Sequence, residues 1–149
     1  MSKTVISILF FVVQINLFGQ DTTVLTINKD SVELFDTKEK IGRKTFRALT
    51  LDYNYFVNPG QEFNTTDLYH PKSPGCRIII CIKDMTNQNY IFYYECGGYH
   101  GAQPICIIGV RRKNNYDLFD PIDRIENKTE FMDLIQTGQI KIKPSWRTK

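Results

Sequence analysis

Three short apolar runs dominate the hydropathy pattern of this chain. Cys76 to Lys83 (CRIIICIK), Tyr90 to Cys96 (YIFYYEC) and Ile105 to Arg111 (ICIIGVR) are rich in β-branched and aromatic residues. Turn formers bound each run, which is the pattern of strands. The polar gap Asp84-Met85-Thr86-Asn87-Gln88-Asn89 suits a hairpin. The next gap, Gly97-Gly98-Tyr99-His100-Gly101-Ala102-Gln103-Pro104, reads as a longer loop. Its glycines tolerate positive φ, and Pro104 lacks a ladder donor.

Placing Cys76 opposite Cys96, and Cys96 opposite Cys106, gives one face free of charge: Cys76, Ile78, Ile80, Ile82, Tyr90, Phe92, Tyr94, Cys96, Cys106, Ile108 and Val110. The other face is mixed and carries Arg77, Cys81, Lys83, Tyr93 and Glu95. This register predicts that three cysteines meet at one corner while Cys81 lies alone. Cys81 is five positions from Cys76. That is roughly 16 Å along an extended strand, too far for a disulfide.

Outside the centre the patterns are weaker. Val24 to Asn28 and Ser31 to Phe35 predict a hairpin across Lys29-Asp30. Asp36 to Gly42 fits a loop or a single helical turn. Leu49, Leu51, Tyr53, Tyr55 and Val57 alternate with Thr50, Asp52, Asn54 and Phe56, which predicts a strand within 45–57. Gln61 to Gly75 is polar, contains two prolines and has no period. It reads as a loop of a length that often carries function. Arg111 to Asn115 forms a basic exit from the centre, and Asp120-Pro121 resembles a helix start. A helix is expected over Lys128 to Thr137, with Phe131, Leu134 and Ile135 on one face and Gly138 as its stop. Ile140 and Ile142 predict a short last strand, and Ser145 to Lys149 a frayed tail.

Together these elements predict an α+β fold. It is a mainly antiparallel β-sheet, with a central three-stranded meander at about 76–111 and one C-terminal helix at about 128–137 across one face.

The first 19 residues differ from the rest: Lys3 is their one charge, and Val5 to Phe18 is mostly apolar. This is the layout of a secretory signal peptide, with a small residue, Gly19, before the expected cut. The apolar stretch contains Gln14 and Asn16 and is short for a membrane span. The reading is a signal peptide at 1–19 and a single exported domain at 20–149, secreted or periplasmic, with no membrane span after the leader is removed. The 149 residues carry 19 Lys plus Arg against 16 Asp plus Glu, a net charge of +3. That balance gives no reason to expect a nucleic-acid partner.

Export favours disulfides among the four cysteines. The expected bridge is Cys96–Cys106, closing the glycine-rich loop, with Cys76–Cys96 as the alternative. A zinc site from Cys76, Cys96, His100 and Cys106 is a further alternative, although its spacing matches no standard signature. A nucleophilic Cys96 with His100, oriented by Glu95, lacks the helix N-terminus or cation that would activate the thiol. No phosphate-binding glycine pattern, HExxH, G-x-S-x-G or EF-hand loop is present.

The sequence therefore reads as a small exported binding domain without an evident catalytic constellation or cofactor. The alternatives are a small exported hydrolase or metal-dependent enzyme built on the Cys96/His100 corner, or a cell-envelope structural or inhibitor protein. The candidate contact residues are Tyr99, His100, Tyr93 and His70, presented to a protein, peptide or saccharide.

Overall fold

The computed structural model describes residues 23–66, 68 and 73–148. The expected signal peptide and His70 lie outside the described residues. The elements run β1 (Thr23–Thr26), β2 (Val32–Phe35), α1 (Lys38–Ile41), α2 (Arg43–Ala48), β3 (Phe56–Val57), β4 (Cys76–Asp84), β5 (Asn89–Gly98), β6 (Gly101–Arg112), β7 (Asn115–Pro121), α3 (Lys128–Thr137) and β8 (Gln139–Pro144). The strands form one sheet in the order β1-β8-β7-β6-β5-β4-β2, with β3 also on β4. Its pairings are antiparallel except β3 with β4.

The fold is thus a β-rich α+β arrangement. The three central strands do not stand as a unit: β7 and β8 extend the same path, and β2 and β3 flank it on the other side. The last helix is joined by two short ones, so a single helix is also corrected. α3 itself occupies the expected span. Asn127 caps it by accepting from the Glu130 amide at 2.9 Å, and Gly138 ends it in the left-handed conformation.

Both faces of the sheet are covered, which explains why the central runs are continuously apolar. Under α3 pack Ile80, Ile82, Ile91, Tyr93, Ile108, Ile140 and Ile142 against Phe131 and Ile135. On the opposite face, Ile78, Cys81, Phe92, Tyr94, Ile107 and Leu118 pack against Phe46 and Leu49 from α2 and its end, and against Phe56 of β3.

Two register features overturn the single apolar face. First, β4 bulges between Ile78, opposite Tyr94, and Ile80, opposite Tyr93. The extra residue, Ile79, shifts the alternation, so Cys81 shares a face with Cys76 and Ile78 while Ile80 and Ile82 turn to α3. Second, Cys96 pairs with Gln103, and Cys106 pairs with Tyr93. That is an odd displacement from the expected register, so Cys106 moves to the α3 face.

Its cause is the second hairpin. Gly97 and Gly98 continue β5 and pair with Ala102 and Gly101, leaving only Tyr99 and His100 as the turn. Gly101, the residue after these two, takes φ 90°, a conformation that glycine adopts without the penalty a side chain would bring. Pro104 is accommodated within β6 because the pairing with β7 begins only at Ile108.

Other expectations fail for similar tertiary reasons. β1 pairs with β8, and β2 pairs with β4, so the N-terminal strands do not form a hairpin with each other. Asp120 and Pro121 end β7 and do not start a helix. The basic segment after β6 is a tight turn at Lys113-Asn114 leading into β7. The strand expected within 45–57 is mostly helix α2 and a 3-10 turn over Tyr53–Tyr55. Phe46 and Leu49, three positions apart, supply the buried helical face.

α2 ends in a Schellman arrangement: the Leu51 amide donates to Phe46 O at 2.8 Å, and the Thr50 amide donates to Arg47 O at 3.1 Å. Thr50 occupies the left-handed position at φ 57°, which a β-branched residue adopts at a cost. Thr50→Gly is expected to stabilise the fold by about 0.5–1 kcal/mol, after the greater unfolded-state freedom of glycine is deducted. Urea unfolding monitored by circular dichroism measures this. An unchanged or lower midpoint would show that Thr50 is not strained.

Candidate interaction surface

The most exposed large hydrophobic side chain among the described residues is Tyr99, 83% accessible at the β5–β6 turn. Its ring meets that of His100 edge-on, with centroids 4.9 Å apart. Sequence neighbours at a two-residue turn have no core to enter, so both project from the end of the sheet.

Behind the turn, the strands are fastened in layers. Cys76 and Cys96 are direct cross-strand partners and form a disulfide, with Cα atoms 4.1 Å apart. This corrects the expected Cys96–Cys106 bridge: Cys106 lies three pairs away, on the opposite face. The next pair is Arg77 and Glu95, joined by an ion pair with Nη2–Oε1 2.6 Å and Nε–Oε1 2.7 Å, both side chains partly shielded. Such a pair fixes geometry more than it adds stability.

Arg77 also reaches the 61–75 segment. Its guanidinium lies over the Phe63 ring at 4.8 Å, and Nη1 donates to Gln61 O at 3.3 Å. The backbone at Thr65 and Gly75 then meets β5. The Gly97 amide donates to Gly75 O at 2.9 Å and the Gly98 amide to Thr65 O at 3.3 Å. A side chain at Gly97 would collide with the carbonyl oxygen of Asn64 and with that of Thr66, so this close approach requires glycine. Asn64 shapes the segment by accepting from the Thr66 amide at 3.0 Å and donating to Leu68 O at 2.7 Å. Leu68, 74% accessible, projects from it.

A cleft of about 380 Å³ opens at the stem of the hairpin, with Pro104 and Ile105 on one wall and Ile122, Trp146 and Arg147 on the other. Trp146 is 73% accessible, and the Arg147 guanidinium lies 4.9 Å from its ring centre. Of the expected frayed tail, Ser145 to Arg147 is held in place. The Ser145 amide donates to Leu118 O at 3.0 Å, the Ser145 hydroxyl bonds Asp120 at 3.0 Å, and Arg147 pairs with Asp120 at 3.2 Å. Sequence reasoning passed over this tryptophan, although it is the only one in the chain and follows a strand directly.

Of the sequence-named contact residues, Tyr99 and His100 come together at the turn. Tyr93 does not join them. It is 1% accessible and stacks on Phe131 of α3, with centroids 5.0 Å apart and planes 9° apart. Burial raises its hydroxyl pKa. The face carrying Tyr93 reads as mixed only when α3 is left out.

The thiol chemistry considered from sequence is also rearranged. Cys96 is bonded to Cys76, so neither sulfur is a free thiolate. Cys81 and Cys106 are buried, and burial pushes both thiols up, leaving them protonated at neutral pH. The four candidate zinc ligands do not assemble: two are joined to each other and Cys106 is on the far face. Among the described residues no group of three or more His, Cys, Asp and Glu side chains is placed to hold a metal ion. No described helix is long and apolar enough to cross a membrane.

Comparison with known proteins finds no matching family model, no curated protein with significant similarity and no matching solved structure.

Proposed function

We propose that this chain is an exported binding module that engages a protein, peptide or saccharide partner through the Tyr99–His100 turn and the adjoining Trp146 cleft. The observation that carries the reading is an exposed aromatic ring held on a two-residue turn behind a disulfide. Large rigid side chains in that setting lose little entropy on binding, and aromatic residues are the commonest hot spots of interfaces. Export is part of the proposal. The apolar leader and a disulfide, which persists in oxidising compartments, support it. The alternative of a thiol-based or metal-dependent enzyme draws no support from Cys96, which is committed to the disulfide.

The test is a double variant, Tyr99→Ala with His100→Ala. Partners captured from secreted material on the wild-type protein are assayed against both forms. Affinity is expected to fall by about tenfold or more, as for a hot-spot truncation. The melting temperature should stay within about 1 °C, since substitutions at exposed positions seldom shift stability. Undiminished affinity in a folded double variant would remove the turn from the interface. A captured enzyme whose activity the protein blocks would select the inhibitor form of the reading.

A further inference from the structure

At the other end of β5 from the turn, side chains from five elements converge on a second, smaller cleft. Lys83 of β4 is the cross-strand partner of Tyr90, and Arg111 of β6 is the partner of Tyr116. Between them, Gly109 stands opposite Tyr90. With no side chain there, the Tyr90 and Tyr116 rings approach to 5.5 Å. A Cβ on Gly109 would run into Leu49 and come within 3.3 Å of Tyr116. Lys44, Thr45 and Ala48 of α2 form the facing wall, enclosing about 210 Å³.

The charge of this cleft is one-sided. Lys44, Lys83 and Arg111 line it, and no Asp or Glu does. Among the described residues none of these three cations takes part in an ion pair. Glu33 is opposite Lys83 in the β2–β4 pairing but is not part of the lining. The neighbouring acids are engaged elsewhere: Asp117 pairs with Arg112 at 3.0 Å, and Asp84 accepts from the Thr86 and Asn87 amides at 2.9 and 3.2 Å.

The donors are also held in place. Arg111 Nη1 lies 3.4 Å from the Tyr116 hydroxyl, which donates to Gln88 O at 3.2 Å. Lys83 Nζ lies 5.6 Å from the Tyr90 ring centre, and the Arg111 guanidinium 5.2 Å from that of Tyr116. Three like charges lining one cleft that no acid lines repel one another, and a bound oxyanion relieves that repulsion while accepting hydrogen bonds from ammonium and guanidinium.

We infer that this cleft binds a phosphate or sulfate monoester. The cations take the oxyanion, and the tyrosine rings flank the carbon part of the ester. The volume is below the ~300 Å³ at which drug-sized pockets begin, which favours a small ester over a nucleotide. The site is at the opposite end of β5 from Tyr99 and does not depend on the partner-binding reading.

The test is an amide-resolved NMR titration of the folded protein with inorganic phosphate, inorganic sulfate and glucose 6-phosphate. Ionic strength is held constant with sodium chloride. Saturable shifts are expected at Lys83, Gln88 and Arg111, with Kd of about 1 mM or below for at least one of the three. Lys83→Gln with Arg111→Gln should weaken that binding by about tenfold or more, whereas Lys141→Gln, an exposed lysine on β8, should leave it unchanged. Tighter binding of glucose 6-phosphate than of inorganic phosphate would assign the rings a role in holding the ester. Equal binding would assign the site to the oxyanion alone. Shifts that rise without saturation, or an equal loss in Lys141→Gln, would mark a diffuse charge effect and overturn the inference.

Discussion

Phe46→Ala is expected to destabilise the protein by about 4 kcal/mol, as truncation of a fully buried phenylalanine does. Phe46 is 1% accessible, and its ring makes edge contacts with Tyr53, Phe56 and Phe92 at 5.2, 5.1 and 5.4 Å. Each such pair adds a directional term to the area buried, so the alanine loses both and leaves a ring-sized void. The void would sit between α2 and the sheet, where Leu49 and Phe56 are themselves fixed by neighbours and cannot collapse into it. In urea the midpoint should fall with little change in slope. A loss below about 1 kcal/mol would mean that α2 does not pack on the sheet, because exposed aromatic truncations seldom cost more than that. The same result would weaken the proposed oxyanion site, whose far wall is α2.

The second large effect is expected from the disulfide. Cys76→Ala with Cys96→Ala should cost about 3 kcal/mol, the loop-entropy estimate for a closed loop of this size. The bridge spans 20 positions, including the first hairpin, Asp84 to Asn89. Reduction of the wild-type protein should produce a loss of similar size, and the free thiols Cys81 and Cys106 should still resist alkylation in the folded state. Unfolding curves with and without reductant measure both. Stability that does not respond to reductant would contradict the Cys76–Cys96 pairing. The functional consequence reaches the turn. Without the bridge, the turn end of β5 is held only by its ladder with β6, by Arg77–Glu95 and by the backbone bonds to Thr65 and Gly75. The Tyr99 ring would then be presented from a looser support, and partner affinity should drop even though no contact residue is changed.

The turn and the oxyanion cleft use one sheet in different ways. Near the turn, Gly97 removes a side chain so that the backbone of Asn64 to Thr66 can lie against β5. At the cleft, Gly109 removes one so that two tyrosines can meet and two cations can flank them. The strands in between are covered on both faces and supply the rigidity that both surfaces need.

The sequence by itself determined the local elements whose signals are carried within a few residues. β4, β5 and the inner part of β6 follow from β-branched and aromatic density. α3 follows from its period and from Gly138, and β8 from the alternation of Ile140 and Ile142 with lysines. The pairing of Cys76 opposite Cys96 was also legible, as was the prominence of Tyr99 and His100 between glycines. What only the tertiary structure decided was anything set by a partner distant in the chain. The bulge at Ile79 shifts the faces of β4 because both faces are buried, and no run of consecutive isoleucines records which side each one takes. Cys106 left the cysteine corner because the turn closes in two residues, a choice made by Gly101 and by the docking of the 61–75 segment. Tyr93 became core because α3 covers it, and residues 43–48 became helix because Phe46 and Leu49 find the sheet at helical spacing. Alternation along one segment identifies a strand only when a neighbouring strand is there to complete it. Within 45–57 only the two residues of β3 find a partner strand, β4, and the burial of one helical face prevails over the local pattern in the rest.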